Sequence, residues 1–136
     1  MVKIKTVYQG QLRTESEHGP SGTTLLTDAP VDNHGKGECF SPTDLVATAL
    51  GSCILTIMGI VAARHDWRIE GATAEVTKVM ATAPERRIQR LEVTLRIPGE
   101  GLGDPARNAL RKAAEHCPVH ATLGANVEMP IEFIWR

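Results

Sequence analysis

Three cysteines, Cys39, Cys53 and Cys117, are the residues of this chain whose chemistry can go beyond packing. A thiolate is a nucleophile and a metal ligand, whereas a thiol among apolar neighbours behaves as an inert small hydrophobe. Cys53 lies in Ser41 to His65, SPTDLVATALGSCILTIMGIVAARH, and from Leu45 to Ala63 this stretch carries no charged residue. Cys117 lies in His116-Cys117-Pro118-Val119-His120. Local sequence activates neither thiol. Cys53 falls about three turns inside the helix predicted for its segment, too far in for the positive end of the helix dipole to favour a thiolate. Cys117 follows a second predicted helix, whose negative end disfavours one. Each is therefore either a buried structural residue or a nucleophile activated by a cation that the fold brings near. Cys39 sits in a loop, either without a role or as a second redox partner for Cys53 if the loop bends back. The Cys-Pro-Val-His cluster lacks the paired C-x2-C spacing of structural zinc sites, so no metal is expected.

The segment around Cys53 has strong helix-start signals. Ser41 can cap, Pro42 suits the first helical position, and Asp44 stands where a capping-box acid reaches back. A helix over Pro42–His65 is about 36 Å long. Thr48, Ser52 and Thr56 recur at i, i+4, a stripe that either admits a close neighbour or back-bonds to its own helix. The apolar run is about 19 residues, close to a bilayer span. It is diluted by Thr48, Gly51, Ser52, Thr56 and Gly59 and lacks a flanking basic cluster, so it reads as a central core helix.

Around this helix the pattern has period two. Residues 2–8 and 23–27 read as short strands, separated by turns at Gly10, Gly19-Pro20 and Gly22, and residues 29–38 (APVDNHGKGE) read as a loop. Residues 72–81 and 88–97 form an antiparallel pair, with Leu91, Val93, Leu95 and Ile97 on one face. Asp104 is the expected N-cap and Pro105 the first residue of an amphipathic helix, with Ala106, Ala109, Leu110, Ala113 and Ala114 facing a sheet. Val127, Met129, Ile131, Phe133 and Trp135 alternate in a last strand, which Pro130 assigns to an edge. The fold class is α+β: antiparallel sheets packed on a long buried central helix and a second amphipathic helix, in one domain spanning 1–136. One small sheet cannot cover a helix apolar all round, so an intertwined homodimer is expected.

With 15 Lys plus Arg against 16 Asp plus Glu, and 4% aromatics, the chain lacks the electrostatic footprint of a nucleic-acid binder. An odd number of cysteines, with no apolar targeting segment over Met1–Tyr8, fits free thiols in a reducing cytoplasm.

Ser41-Pro-Thr-Asp-Leu-Val-Ala-Thr-Ala-Leu-Gly-Ser-Cys53, followed later by His116-Cys-Pro-Val-His-Ala-Thr-Leu123, resembles the paired cysteine motifs of the OsmC family, the osmotically inducible protein C and organic hydroperoxide resistance superfamily. The order of elements matches as well. The resemblance implies a tightly intertwined α+β homodimer and a thiol-dependent peroxidase for hydrophobic organic hydroperoxides. It implies Cys53 as the peroxidatic thiolate, Cys117 as the resolving thiol and an external dithiol as reductant. No cofactor is expected, and composition and the diluted apolar run leave no nucleic-acid or membrane partner expected either. The resemblance also implies an activating arginine from the N-terminal strands, for which Arg13 stands in the corresponding region, and a glutamate before the helix. Thr43 occupies the position of that glutamate. Asp44 does not replace it, because at about 100° per residue it faces away from Cys53. Glu38, in the loop, is the remaining candidate. Val46, Ala49, Leu50, Ile57 and Ile60 would shape an alkyl pocket beside Cys53. The alternative is a non-enzymatic redox-sensing or small-molecule-binding dimer of the same fold that lacks the activating glutamate.

Overall fold

Two short polar or β-branched segments open the chain as a hairpin. In the computed structural model, which describes residues 1–136, β1 (Ile4–Gly10) pairs antiparallel with β2 (Arg13–His18). Gln11 and Leu12 turn between them with φ of 54° and 63°, the backbone of a tight hairpin turn whose twist matches its strands. β3 (Thr24–Asp28) adds on the other side of β2, giving the order β1-β2-β3. β2 is the strand the sequence pattern did not reveal: RTESEH has no apolar residue to alternate. Residues 29–40 then form a loop folded on itself. Asp28 N–H donates to the Phe40 carbonyl at 3.1 Å, and the Gly35 N–H to the Pro30 carbonyl at 2.9 Å. A side chain at Gly35 would overlap the Ala29 carbonyl, so only glycine lets the two limbs of the loop approach this closely.

The chain forms two compact units, Met1–Val46 and Ala47–Arg136, and the boundary falls inside α1 (Pro42–Arg64). The capping box at its start is complete. Asp44 N–H donates to Ser41 Oγ at 3.1 Å, and Ser41 N–H donates to the Asp44 carboxylate at 2.9 Å. Ala47, Leu50, Gly51, Ile54, Met58 and Ala62 form its buried face. Gly51 is the residue that lets α1 approach the second sheet. A Cβ there would lie 3.1 Å from Val76 Cγ2 and 3.6 Å from Ala74 Cβ. The Thr48–Ser52–Thr56 stripe is exposed instead, and Thr56 Oγ1 bonds back to the Ser52 carbonyl at 2.8 Å. α1 is long and apolar enough to cross a membrane by length and composition, yet one side of it is built into the core.

In the second unit, β4 (Thr73–Ala81) and β5 (Arg87–Ile97) pair antiparallel, and Leu91, Val93, Leu95 and Ile97 are all buried, as their alternation requires. α2 (Asp104–Ala114) buries Ala106, Leu110 and Ala114. Its N-cap is Gly103, and Asp104 is already inside the first turn, where its charge favours the dipole without a side-chain cap. α3 (Pro118–Leu123) follows, a short helix that the sequence pattern left unassigned.

β6 (Ile131–Trp135) joins the edge of β5, as Pro130 indicates, but the pairing is parallel, with Val93 opposite Ile131 and Ile97 opposite Trp135. This corrects the wholly antiparallel expectation. The helical crossover through α2 and α3 brings the chain back in the direction of β5, the connection a parallel pair needs. Residues 127–130 approach β5 through the Arg90–Glu128 bridge and a bond from Val93 N–H to the Pro130 carbonyl at 2.9 Å, so the strand proper is shorter than the alternation suggested. The arginines on the polar side of α2 do not simply face water: Arg107 lies 5.2 Å over Trp135 and Arg111 lies 5.5 Å over Phe133.

Candidate active site

The second unit brings Cys53 and Cys117 together. Cys53 is on α1, half-buried, and flanks the buried line through Leu50 and Ile54. Cys117 is fully buried between α2 and α3. Proline at 118 ends the first helix and starts the second, so Cys117 is the N-cap of α3 as well as the residue beyond α2. Its sulfur accepts the His120 N–H at 3.3 Å. The reading of Cys117 as a thiol at a helix C-terminus alone is thereby corrected: a donor N–H points at it. Burial pushes the Cys117 thiol above its ordinary range, the His120 N–H opposes this, and the Cys53 thiol within hydrogen-bonding reach adds to the rise. Cys117 is held as a neutral thiol against its neighbour.

Leu50 turns into the core and is fully buried, which removes it from the expected alkyl pocket. Val46, Ala49, Ile57 and Ile60 are exposed or half-buried on the side of α1 away from that core. His116 is exposed and hydrogen-bonded through Nδ1 to the Lys112 carbonyl at 2.7 Å, a helix-end interaction. No group of three or more His, Cys, Asp or Glu side chains is arranged to hold a metal ion.

The first unit gathers a second polar group. Arg13 and Asp28 are cross-strand partners on β2 and β3. Arg13 Nε donates to Asp28 Oδ1 at 2.7 Å and Nη2 donates to Oδ2 at 2.8 Å, a two-point ion pair. Glu38 reaches the same guanidinium only at 3.6 Å and is 64% exposed, whereas the Asp28 side chain is 1% exposed. Glu38 N–H and the Cys39 thiol complete the shell of Asp28. The Arg13 bonds hold the Asp28 carboxyl well below the usual carboxylate range against the cost of burial. Cys39 is pushed up by burial first and then by its bond to Asp28, so it is a donor and a poor nucleophile. Thr43 has its hydroxyl 3.2 Å from Ser41 Oγ, within the cap of α1.

The geometry thus joins two predicted residues, Cys53 and Cys117, in one place. It joins Arg13 and Glu38 in another, around an acid that sequence reasoning did not single out. Asp28 falls at the seam between a short strand and a loop, where no motif marks it. Its one sequence signal is a charged residue directly continuing the strand-like segment TTLLT.

The profile of the OsmC-like protein family matches residues 35–132. A proposed osmotic stress induced and detoxification response protein from Psychrobacter arcticus 273-4 has a solved structure 44% identical in sequence. It covers 98% of this chain and 96% of its own, with a TM-score of 0.90. The organic hydroperoxide resistance protein OsmC of Legionella pneumophila is 20% identical over 98% of this chain and 96% of its own, with a TM-score of 0.78. A proposed organic hydroperoxide resistance protein of Vibrio cholerae, solved with captopril in one of its active sites, is 16% identical over 98% and 90%, with a TM-score of 0.77. No curated protein matches the chain. With its paired cysteines, its two three-stranded sheets and a family match over most of its length, the chain belongs to the OsmC-like family.

Proposed function

We propose that this chain, acting as one OsmC-like domain over 1–136 and as a cytoplasmic homodimer, is a thiol peroxidase for hydrophobic organic hydroperoxides. The observation that carries this reading is the pair itself: a half-buried Cys53 beside a fully buried, neutral Cys117. The Cys53 thiolate attacks the distal peroxide oxygen, the O–O bond breaks, and the alkoxide leaves as an alcohol after taking a proton. Cys53 is then a sulfenic acid. The Cys117 sulfur attacks it, an S–S bond forms, and water departs with the remaining proton. An external dithiol reduces the disulfide by exchange. Arg13 enters this reading through the family resemblance, as the cation that favours the thiolate. No cofactor is needed for this sequence of steps.

Mass spectrometry after one equivalent of cumene hydroperoxide tests it. The expected product is a Cys53–Cys117 disulfide with one equivalent of alcohol, and two unmodified thiols with intact peroxide would overturn it. A second reading is a redox-sensing or small-molecule-binding dimer, favoured by Thr43, whose hydroxyl belongs to the helix cap and supplies no carboxylate. In that case the disulfide forms stoichiometrically, but added dithiol does not sustain turnover.

A further inference from the structure

The C-terminal end of α1 carries a recess of about 260 Å³ that the thiol chemistry does not use. Its position follows from how the helix stops. Asp66 takes a left-handed φ of 56°, the Trp67 N–H donates to the Ala62 carbonyl at 2.9 Å, and the Asp66 N–H reaches the Ala63 carbonyl at 3.5 Å. This is the Schellman ending of a helix, and it fixes the backbone of Trp67 against the last turn. Leu55, Gly59 and Ala62 of α1 line the recess, with Trp67, Ile69 and Glu70 from the turn that leads to β4. Gly59 leaves the room, since a Cβ there would meet nothing within 4 Å. His65 stacks on the Trp67 indole with ring centroids 4.2 Å apart, yet it does not line the recess, so one indole face is taken and the other is left to the recess. Leu55 and Gly59 stand about 200° and 240° round the helix from Cys53 at 100° per residue, which separates this recess from the thiol pair.

Three features of the recess favour positive charge. The last turn of α1 is the negative end of its dipole. Glu70 is exposed and has no ion-pair partner. An indole face attracts a cation more strongly than any other side-chain ring. Arg64 and Arg68 flank the turn, but neither lines the recess. The rest of the lining is apolar, which suits a carbon-bearing cation and not a bare metal ion that demands several oxygen ligands. A cavity of about 150 Å³ already admits benzene, so the larger recess holds a ring or short alkyl body together with a small ammonium head. We propose that this recess binds a small organic cation, an amine or quaternary ammonium with an apolar body, its head against the Trp67 indole and beside the Glu70 carboxylate. The site is independent of the peroxidase reading.

Benzyltrimethylammonium is titrated into the full-length protein, and the indole N–H signals are followed in a nitrogen-15 correlation spectrum, assigned with Trp67→Phe. The chain has two tryptophans, so Trp135 on β6 serves as the internal reference. The Trp67 signal is expected to shift saturably, with a Kd on the order of 1 mM or tighter, while Trp135 stays in place. Benzyl alcohol and benzenesulfonate, the neutral and anionic counterparts, should bind at least about fivefold more weakly. Glu70→Gln should weaken binding of the cation by about threefold, the scale of an exposed charge pair. Gly59→Leu fills the recess and should remove the response. The absence of a saturable shift overturns the proposal, and this is the result if a second copy of the chain covers the recess. Equal affinity for benzyl alcohol makes the recess an apolar cavity only and overturns the cation assignment. A full response in Gly59→Leu overturns the location. Should Gly59→Leu not fold, Glu70→Gln decides: weakened binding supports the proposal and wild-type affinity overturns it.

Discussion

At the scale of the residue, the two thiols differ in a way that sorts their roles. Cys53 has solvent on one side, and Cys117 has none. If Cys53 attacks and Cys117 resolves, Cys53→Ser abolishes peroxide consumption. Cys117→Ser consumes one equivalent and stops at a sulfenic acid, read as a dimedone adduct on Cys53. A Cys117→Ser protein that turns over at the wild-type rate would sink the assignment of the resolving thiol. The raised Cys117 thiol has a further consequence for stability. A thiol whose folded value lies above its unfolded one, ordinarily ~8.5, binds more protons in the native state across that interval. Its contribution is complete below the unfolded value and is lost as pH rises towards the folded one. Thermal unfolding from pH 7 to 10 should therefore show Tm falling on the alkaline side, less steeply in Cys117→Ala than in wild type. Equal slopes would show that burial does not raise this thiol. The cysteine pair was legible in the sequence because it lies in two short motifs. Asp28 was not, because its importance comes from a cross-strand neighbour, Arg13, on a strand whose alternation is wholly polar.

At the scale of the element, close approach is carried by glycines rather than by the hydroxyl stripe. Gly51 sets α1 against β4, with Val76 Cγ2 3.1 Å from where a Cβ would stand. Gly51→Leu forces a large side chain into that contact and should destabilise by about 1–3 kcal/mol in urea unfolding. Thr56→Ala, on the exposed stripe, should change stability by less than about 0.5 kcal/mol, and a larger loss there would reverse the assignment. Gly35→Ala should open the loop that residues 29–40 form, exposing it to limited proteolysis while the far β4–β5 pair stays protected. The central helix was readable because its cap, its proline and its apolar run agree, and the structure supplies both bonds of the capping box. β5 was readable because Leu91, Val93, Leu95 and Ile97 alternate over a buried face. α3 and the parallel sense of β6 were not. A six-residue helix has too few turns to show a period, and the direction of a strand is set by the path of the chain before it rather than by its own residues.

At the scale of the whole molecule, the distribution of apolar surface is the decisive observation. Ile4, Tyr8 and Leu25 are exposed on one face of the first sheet and Val7 and Leu26 on the other, and Ile60 on α1 is 44% exposed, while Ala49 and Ile57 line the same uncovered side of the helix. Single exposed apolar residues are ordinary, but contiguous sets on a sheet face and along a helix mark an interaction surface. Covering a residue such as Ile60 contributes on the order of 1.5–3 kcal/mol when burial is complete, and a symmetric pair of subunits gains it twice. The proposed homodimer accounts for a helix that is apolar all round but buried on one side only. Light scattering at micromolar concentration should give about twice the 14.7 kDa chain mass. Ile60→Glu places a charge in the covered stripe and should shift the mass towards that of the single chain, with a concentration-dependent Tm. Thr73→Glu, at an exposed position on β4, serves as the control for an added charge away from the helix stripe. A wild-type mass equal to 14.7 kDa would leave these surfaces without a partner and overturn the dimer.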